Sequence, residues 1–222
     1  MSQRWILKII GGIALGGLIL ATASLFAPKA QGGQNEITDS RIQAGFSAAP
    51  VPLNMKGKNP ALVGLGSYLV NVIGDCNGCH SAGPQTQFAP GHNPYFGQQE
   101  MVNPNTYLGG GRVFTLVPGA APIISRNLTP DKTGLPEGGT SFEEFVSIMR
   151  TGKDPDNLHP TCSGAPNSSC IPPPFDGSLL QIMPWPAFSE LTDHDLRAIY
   201  EYLSAVPCVQ GNYPGEPTDR CQ

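Results

Sequence analysis

The chain has 222 residues, enough for one domain with a buried core, but its 27 glycines and 23 prolines argue against extensive regular structure. Three of its 13 basic and none of its 17 acidic side chains fall in residues 1–30, which leaves 10 basic against 17 acidic side chains, a net charge of −7. The remaining chain therefore lacks the basic surface that would neutralise phosphates, which excludes nucleic acid as a partner.

Residues 1–30 have the pattern of a membrane-targeting segment. Arg4 and Lys8 precede an uncharged apolar run over residues 9–27. This run is either the core of a cleaved secretory signal, with Ala21-Thr22-Ala23 as its cleavage site, or an uncleaved anchor formed by residues 5–27. Both alternatives predict that the rest of the chain is periplasmic, either soluble or anchored to the inner membrane.

Residues 31–59 are rich in Gly, Gln, Asn, Ala and Pro without a sustained period, and we predict a flexible linker there. The folded domain is predicted to cover residues 60–207, followed by a C-terminal tail of residues 208–222. Its first helix is expected to begin after Asn59 with Pro60 as its first residue, because proline suits that position. Leucines at helical spacing then form an apolar stripe.

The sequence Gly-Asp-Cys-Asn-Gly-Cys-His follows this helix. Residues three apart lie on one face of a helical turn, so Cys76 and Cys79 present both sulfur atoms to the same side, with His80 beside them. This spacing is typical of covalent haem attachment, in which the thiols add to the vinyl groups and the histidine binds the iron. We therefore predict one covalently bound haem c.

Two other kinds of site use the same pair of cysteines. A thioredoxin-type redox pair would need a strand–helix–strand context, whereas residues 60–73 have a helical period. A zinc site would need two further well-spaced ligands, and the other four cysteines are scattered along the chain. Both interpretations fit the sequence less well than haem attachment.

The remaining elements are predicted to be few. Residues 81–130 are expected to be mostly loop, with one short β-hairpin within residues 112–125. A second helix is expected to start at a capping box of Thr140 and Glu143 and to end at Gly152.

A third helix is expected to begin at Thr192, with an acid at Asp195, and to end before Pro207. Its buried face is predicted to include Leu196 and Ile199. Three helices, long loops and a flat cofactor predict a small all-α fold centred on the haem.

The second axial ligand of the iron separates an electron carrier from a haem enzyme. The candidates are the other methionines and histidines of the exported chain: Met55, Met101, Met149, Met183, His92, His159 and His194. Met183 is favoured because Pro184 keeps it out of helical geometry and Trp185 can cover the haem face, whereas Met149 lies on a helical apolar stripe. If Met183 is absent from the iron or easily displaced, the alternative is a peroxidase-like enzyme or a sensor.

Arg126 and the adjacent Asn127 are candidate contacts of the haem, because a guanidinium suits a propionate carboxylate. The alternative for Arg126 is a solvated surface side chain. The backbone carbonyl of Pro84 is expected to accept the second ring proton of His80 and so to fix its tautomer.

The four cysteines outside the motif favour disulfides in an oxidising compartment. Three connectivities exist, and we expect the pairings with short loops, Cys162 with Cys170 and Cys208 with Cys221. Each bond would hold a loop or the C-terminal tail in place.

Four segments together resemble a class I c-type cytochrome domain: CNGCH at 76–80, NLTPD at 127–131, MPW at 183–185 and LRAIYEYL at 196–203. Over about residues 60–207 the chain resembles, more narrowly, one haem module of the cytochrome subunits of membrane-bound alcohol, gluconate and related dehydrogenases. The resemblance implies a cytochrome c-like fold of about three to five helices, with His80 and Met183 as axial ligands.

The resemblance also implies a non-catalytic carrier of single electrons. Its donor would be a dehydrogenase, and its acceptor an oxidase, a quinone-linked complex or another cytochrome. Those subunits commonly carry three haem motifs, whereas this chain has one. A stand-alone carrier and a permanently docked subunit are therefore both open at this point.

Overall fold

A computed structural model describes residues 39–157, 159–211 and 213–222. The predicted signal or anchor and the first part of the predicted linker lie outside the described residues. Within them, the chain forms eight α-helices and one two-stranded antiparallel sheet, joined by long loops. None of these helices has the length and apolar character needed to cross a membrane.

The elements follow one another in a simple order. The helices are α1 (Ser40–Ala48), α2 (Pro60–Ser67), α3 (Cys76–His80), α4 (Pro84–Gln87), α5 (Pro136–Gly139), α6 (Phe142–Thr151), α7 (Trp185–Phe188) and α8 (Asp193–Leu203). A π-helical segment, Tyr68–Ile73, continues α2. The strands β1 (Val113–Phe114) and β2 (Ile123–Ile124) pair Val113 with Ile124 and Phe114 with Ile123, so the predicted hairpin is confirmed in a shorter form.

Helix α1 lies in the segment predicted to be a flexible linker, and for residues 39–59 that prediction is wrong. The Asp39 carboxylate caps the helix by accepting the Arg41 backbone N–H at 2.9 Å. A Cβ atom at Gly45 would collide with the backbone of α2, and the Ser67 hydroxyl donates to the Gly45 carbonyl at 2.6 Å. Helix α1 is held against α2 by close contact between their backbones at small residues. Such contact does not require a regular pattern of apolar side chains, so the sequence of α1 shows little hydrophobic periodicity.

Helix α2 begins as predicted. The Asn59 side chain accepts the backbone N–H groups of Ala61 at 2.9 Å and Leu62 at 3.4 Å, and Pro60 is the first helical residue. The π-helical segment then carries the chain to Gly74, directly before the Cys-x-x-Cys-His motif.

Helices α2 and α8 form the centre of the fold. They approach closely because Gly66 has no side chain where a Cβ atom would meet the Ala198 carbonyl. The predicted start of α8 is confirmed, since the Thr192 hydroxyl accepts the Asp195 backbone N–H at 3.1 Å. Its predicted buried face is also confirmed, with Leu196 fully buried.

Helix α6 ends at Gly152, as predicted, with that residue in the left-handed region (φ 68°). Its capping box lies one residue later than predicted. Ser141 accepts the Glu144 N–H at 3.2 Å, and the Glu144 carboxylate accepts the Ser141 N–H at 2.9 Å. Both residue pairs match the sequence pattern, but the Thr140 hydroxyl donates instead to the Glu137 carbonyl at 3.2 Å.

The C-terminal tail is an integral part of the domain. Both predicted disulfides, Cys162–Cys170 and Cys208–Cys221, are formed. Within the tail, the buried Arg220 guanidinium pairs with Glu216 at 3.1 Å and donates to the Thr129 carbonyl at 2.5 Å. The described part of the tail therefore covers the chain just after β2 rather than extending away from the domain.

Candidate cofactor site

Helix α3 presents the motif from a strained turn. Asp75, which precedes it, adopts the left-handed region (φ 41°, ψ 46°), a conformation that aspartate tolerates better than most residues. A Cβ atom at Gly78 would lie 2.7 Å from the Asp75 carboxylate, so a larger residue at this motif position would require the Asp75 side chain to shift. At the other end, Arg112 donates to the Gly78 carbonyl and the Gly110 N–H donates to the His80 carbonyl, which satisfies carbonyl groups left open at a helix end.

The two motif cysteines are free thiols, whereas the other four cysteines form disulfides. Burial raises the pKa of Cys76 to about 12, with Asp75 and Cys79 contributing in the same direction. Reactive cysteines of redox pairs have a lowered pKa, so Cys76 does not resemble one. The described residues also contain no group of three or more His, Cys, Asp or Glu that could hold a metal ion.

His80 is fixed by a long-range hydrogen bond. Its Nδ1 atom lies 2.7 Å from the Arg126 carbonyl oxygen. A carbonyl only accepts, so Nδ1 carries the proton and Nε2 keeps its lone pair, the state in which imidazole binds a metal. Burial lowers the pKa of His80, which favours the neutral ring. The prediction that the Pro84 carbonyl is the acceptor is wrong. The actual acceptor, Arg126, is distant in the sequence, and only the fold brings its carbonyl next to the His80 ring.

An apolar cleft that opens to solvent adjoins α3. Its walls come from the π-helical segment, α3, α6, α7, α8 and the segment before α7, and include Leu69, Cys76, Phe145, Met149, Met183, Phe188 and Leu203. The first motif cysteine and the favoured methionine therefore line one cleft, although 107 residues separate them in the sequence.

The other candidate ligands and contacts are distributed differently. Met149 also lines the cleft and is only 4% exposed, whereas Met101 is 49% exposed. The Trp185 indole packs against Gly152 at the end of α6, and it is Phe188, one turn later, that lines the cleft. Nothing in these contacts brings Trp185 to the cleft wall.

Arg126 is not a solvated surface side chain. It is 18% exposed, and its Nη2 atom lies 3.3 Å from Asp154 and 3.7 Å from Asp156. Its Nη1 atom lies 3.9 Å from Glu137 and has no hydrogen-bond partner among the described residues. A buried guanidinium nitrogen without an acceptor can still bind another carboxylate.

Asn127, by contrast, has its amide fully used within the chain. Its Nδ2 donates to the Val209 carbonyl and to Glu216, both at 2.9 Å, and its Oδ1 accepts two hydrogen bonds from Thr129. The side chain therefore joins the C-terminal tail to the domain. It has no polar group left for the cofactor contact that we expected.

Glu137 is a site residue that the sequence did not indicate. It lines the apolar cleft, its side chain is 11% exposed, and burial raises its pKa to about 7. Its position depends on a turn of α5 in which both Glu137 and Gly138 have positive φ. A single glutamate followed by two glycines carries no recognisable sequence signal.

These residues fit a covalently attached haem. Helix α3 supplies two free thiols on one turn, His80 supplies a lone pair at Nε2, and the cleft supplies an apolar wall that contains a thioether. The unpartnered Nη1 of Arg126 supplies a donor for a carboxylate.

Comparison with known proteins relates the chain to cytochrome c subunits of dehydrogenases. It is 30% identical over 159 residues to the gluconate 2-dehydrogenase cytochrome c subunit of Pantoea cypripedii, a match that covers 69% of this chain and 26% of the relative. It is 28% identical over 174 residues to the alcohol dehydrogenase (quinone) cytochrome c subunits of Gluconacetobacter polyoxogenes and Komagataeibacter europaeus. Each of these two matches covers 74% of this chain and 27% of the relative. The chain thus spans about a quarter of the length of these relatives. No family model and no solved structure matches it.

Proposed function

We propose that this chain is a single-haem electron-transfer domain of the cytochrome c type, with an all-α cytochrome c-like fold. Cys76 and Cys79 would bind the haem through thioethers, and His80 and Met183 would be its axial ligands. When bound, the haem supplies a one-electron redox centre. The observation that carries the proposal is that the only free cysteines of the described chain lie on one helical turn, and that Cys76 lines the same apolar cleft as Met183.

The surrounding residues support this assignment through their chemistry. The Arg126 carbonyl holds His80 in the tautomer that leaves Nε2 free. The cleft wall is apolar, and a thioether ligand raises the reduction potential relative to a second histidine. The Arg126 guanidinium would donate to a haem propionate through its unpartnered Nη1.

We further propose a periplasmic location, with a dehydrogenase as the electron donor and a terminal oxidase, a quinone-linked complex or another cytochrome as the acceptor. The relatives, which are named as dehydrogenase subunits, support the choice of donor. Exposed apolar side chains lie beside the cleft: Ile73, which lines it, is 64% exposed, and Ile182, next to Met183, is 46% exposed. Such a rim suits contact with a redox partner.

Mass spectrometry and absorption spectroscopy test the cofactor assignment. The protein is exported from cells that contain the haem-attachment machinery, and its mass is expected to exceed that of the polypeptide by one haem. Cys76→Ser combined with Cys79→Ser is expected to abolish the increase. The matched pair Cys162→Ser with Cys170→Ser, which removes a disulfide, is expected to keep it. A colourless protein with the mass of its amino acids alone overturns the proposal.

The partner assignment has its own test. Membranes that contain a gluconate or an alcohol dehydrogenase are mixed with the oxidised protein, substrate is added, and the appearance of the reduced haem spectrum is followed. Reduction that depends on substrate is expected. Copurification with the dehydrogenase identifies a docked subunit, whereas reduction without copurification identifies a mobile carrier. Failure of every such dehydrogenase to reduce the protein contradicts the choice of donor.

A further inference from the structure

Glu137 occupies an uncommon position for a carboxylate. Its backbone lies in the left-handed region (φ 53°, ψ 35°), which non-glycine residues rarely adopt. Its side chain is nonetheless only 11% exposed and lines the apolar cleft. Such a conformation costs free energy that other contacts must offset, and residues held in this way are concentrated at functional sites.

The charges around Glu137 do not balance. The nearest cation is Arg126, at 3.9 Å, but that guanidinium also pairs with Asp154 and Asp156. Arg220, whose Nη1 lies near Gly138, already pairs with a carboxylate of the tail. The charged and titratable groups that act on Glu137 from the surrounding elements are Arg126, Asp154, Arg220, Cys76 and Tyr200.

Burial is the main reason why the pKa of Glu137 is raised to about 7, and Asp154 raises it further while Arg126 and Arg220 lower it. A carboxyl group with such a pKa is partly protonated near neutral pH. The gain or loss of one charge in the adjoining cleft therefore changes the fraction of Glu137 that is protonated.

We propose that Glu137 takes up a proton when an electron enters the haem, so that electron transfer by this chain is coupled to proton transfer. The inference rests on the proposed function. The electron comes from a reduced donor protein and the proton from the solvent, and the Glu137 carboxylate becomes a carboxylic acid. The site thus gains one negative and one positive charge, and both leave again on reoxidation.

This balance of charges determines how the midpoint potential changes with pH. An added electron makes the cleft more negative and favours the protonated form of Glu137, so protonation in turn favours reduction. The midpoint potential is therefore expected to fall as the pH rises through the range in which Glu137 titrates. For one proton and one electron, each tenfold change in proton concentration shifts the potential by at most ~59 mV.

Redox titration of the haem-loaded protein over roughly pH 5 to 9 tests the inference. Glu137→Gln resembles the protonated side chain in shape and charge. We expect this variant to match the wild-type potential at the acidic end, to show no slope, and to exceed the wild-type potential at the alkaline end. Asp156→Asn is the matched control, because it removes an 81% exposed carboxylate from the same cluster and is expected to keep the slope.

Infrared difference spectra between reduced and oxidised wild-type protein give a readout that needs no stable variant. The C=O stretch of a protonated carboxyl group is expected to appear on reduction. A slope that persists in Glu137→Gln, or the absence of this band in the wild type, overturns the inference. Absence of any haem spectrum would instead overturn the proposed function, so the two failures are distinguishable.

Discussion

The Nδ1 atom of His80 and the backbone carbonyl oxygen of Arg126 lie 2.7 Å apart, although 46 residues separate them in the chain. The side chain of Arg126 extends to the carboxylates of Asp154 and Glu137. One residue therefore orients the proposed iron ligand through its main chain and binds carboxylates through its side chain. Mutation can separate the two roles, because a substitution removes only the guanidinium.

Arg126→Gln is expected to keep the hydrogen bond to His80 and therefore the absorption spectrum of the ligated haem. It is expected to lower the midpoint potential, because a positive charge beside the cofactor favours the reduced state. Stability should fall by about 3 kcal/mol, since the mutation removes the cation that pairs with Glu137 and Asp154, whose side chains are only 11% and 5% exposed. Redox titration and denaturant unfolding measure the two effects.

Arg150→Gln is the control for this experiment. Its guanidinium pairs with Asp193 at 2.7 Å, but the Asp193 side chain is 88% exposed. We expect a loss of stability below about 1 kcal/mol and an unchanged potential. If Arg126→Gln alters neither quantity more than this control does, the guanidinium has no role at the cofactor.

Met183 and Met149 both line the cleft, and the absorption spectrum distinguishes them as ligands. Methionine ligation of ferric haem gives a weak band at the red end of the spectrum. We expect Met183→Ala to lose this band and to bind added cyanide or imidazole rapidly. Met149→Ala should keep the band while losing about 2–5 kcal/mol of stability, because its side chain is buried in the core. The opposite pattern would assign the ligand to Met149.

Local signals in the sequence were sufficient for the elements with clear caps and periodicity. Asn59 with Pro60, Thr192 with Asp195, and Gly152 each act within one helical turn, and the structure has all three where they were predicted. The predicted capping box of α6 is one residue too early, because Thr140 with Glu143 and Ser141 with Glu144 satisfy the same sequence pattern. Helix α1 was missed because close backbone contact at Gly45, rather than an apolar stripe, holds it.

The candidate site was predictable only in part for a similar reason. The spacing of Cys76, Cys79 and His80 is local, so the sequence contains it directly. The partners of Arg126 and the cleft position of Glu137 depend on contacts between segments that are far apart in the chain. Neither composition nor periodicity encodes such contacts in a form that can be read from one sequence.

A buried hydrogen-bond network lies between the π-helical segment, α8 and the loop before β1. The Tyr202 hydroxyl lies 2.7 Å from the Tyr107 hydroxyl and accepts the Asn71 amide at 3.0 Å, and both tyrosines are at most 1% exposed. We expect Tyr202→Phe to lower the free energy of unfolding by about 1–2 kcal/mol. Tyr95→Phe, at a position that is 81% exposed, should have no measurable effect in the same denaturant titration. Equal stability of the two variants would mean that the network contributes nothing.

The Cys208–Cys221 disulfide closes the tail that buries Arg220, and its removal should cost more than removal of Cys162–Cys170. Loop closure alone predicts about 3 kcal/mol for each bond, because the sequence separations of 13 and 8 residues differ little in their entropic effect. Releasing the tail additionally weakens its contacts with Asn127 and Thr129. Denaturant unfolding of the two double-serine variants measures the difference, and alkylation of the unreduced, unfolded wild type should find none of these four thiols free. Four alkylatable thiols, or a smaller loss for the tail variant, would contradict this account.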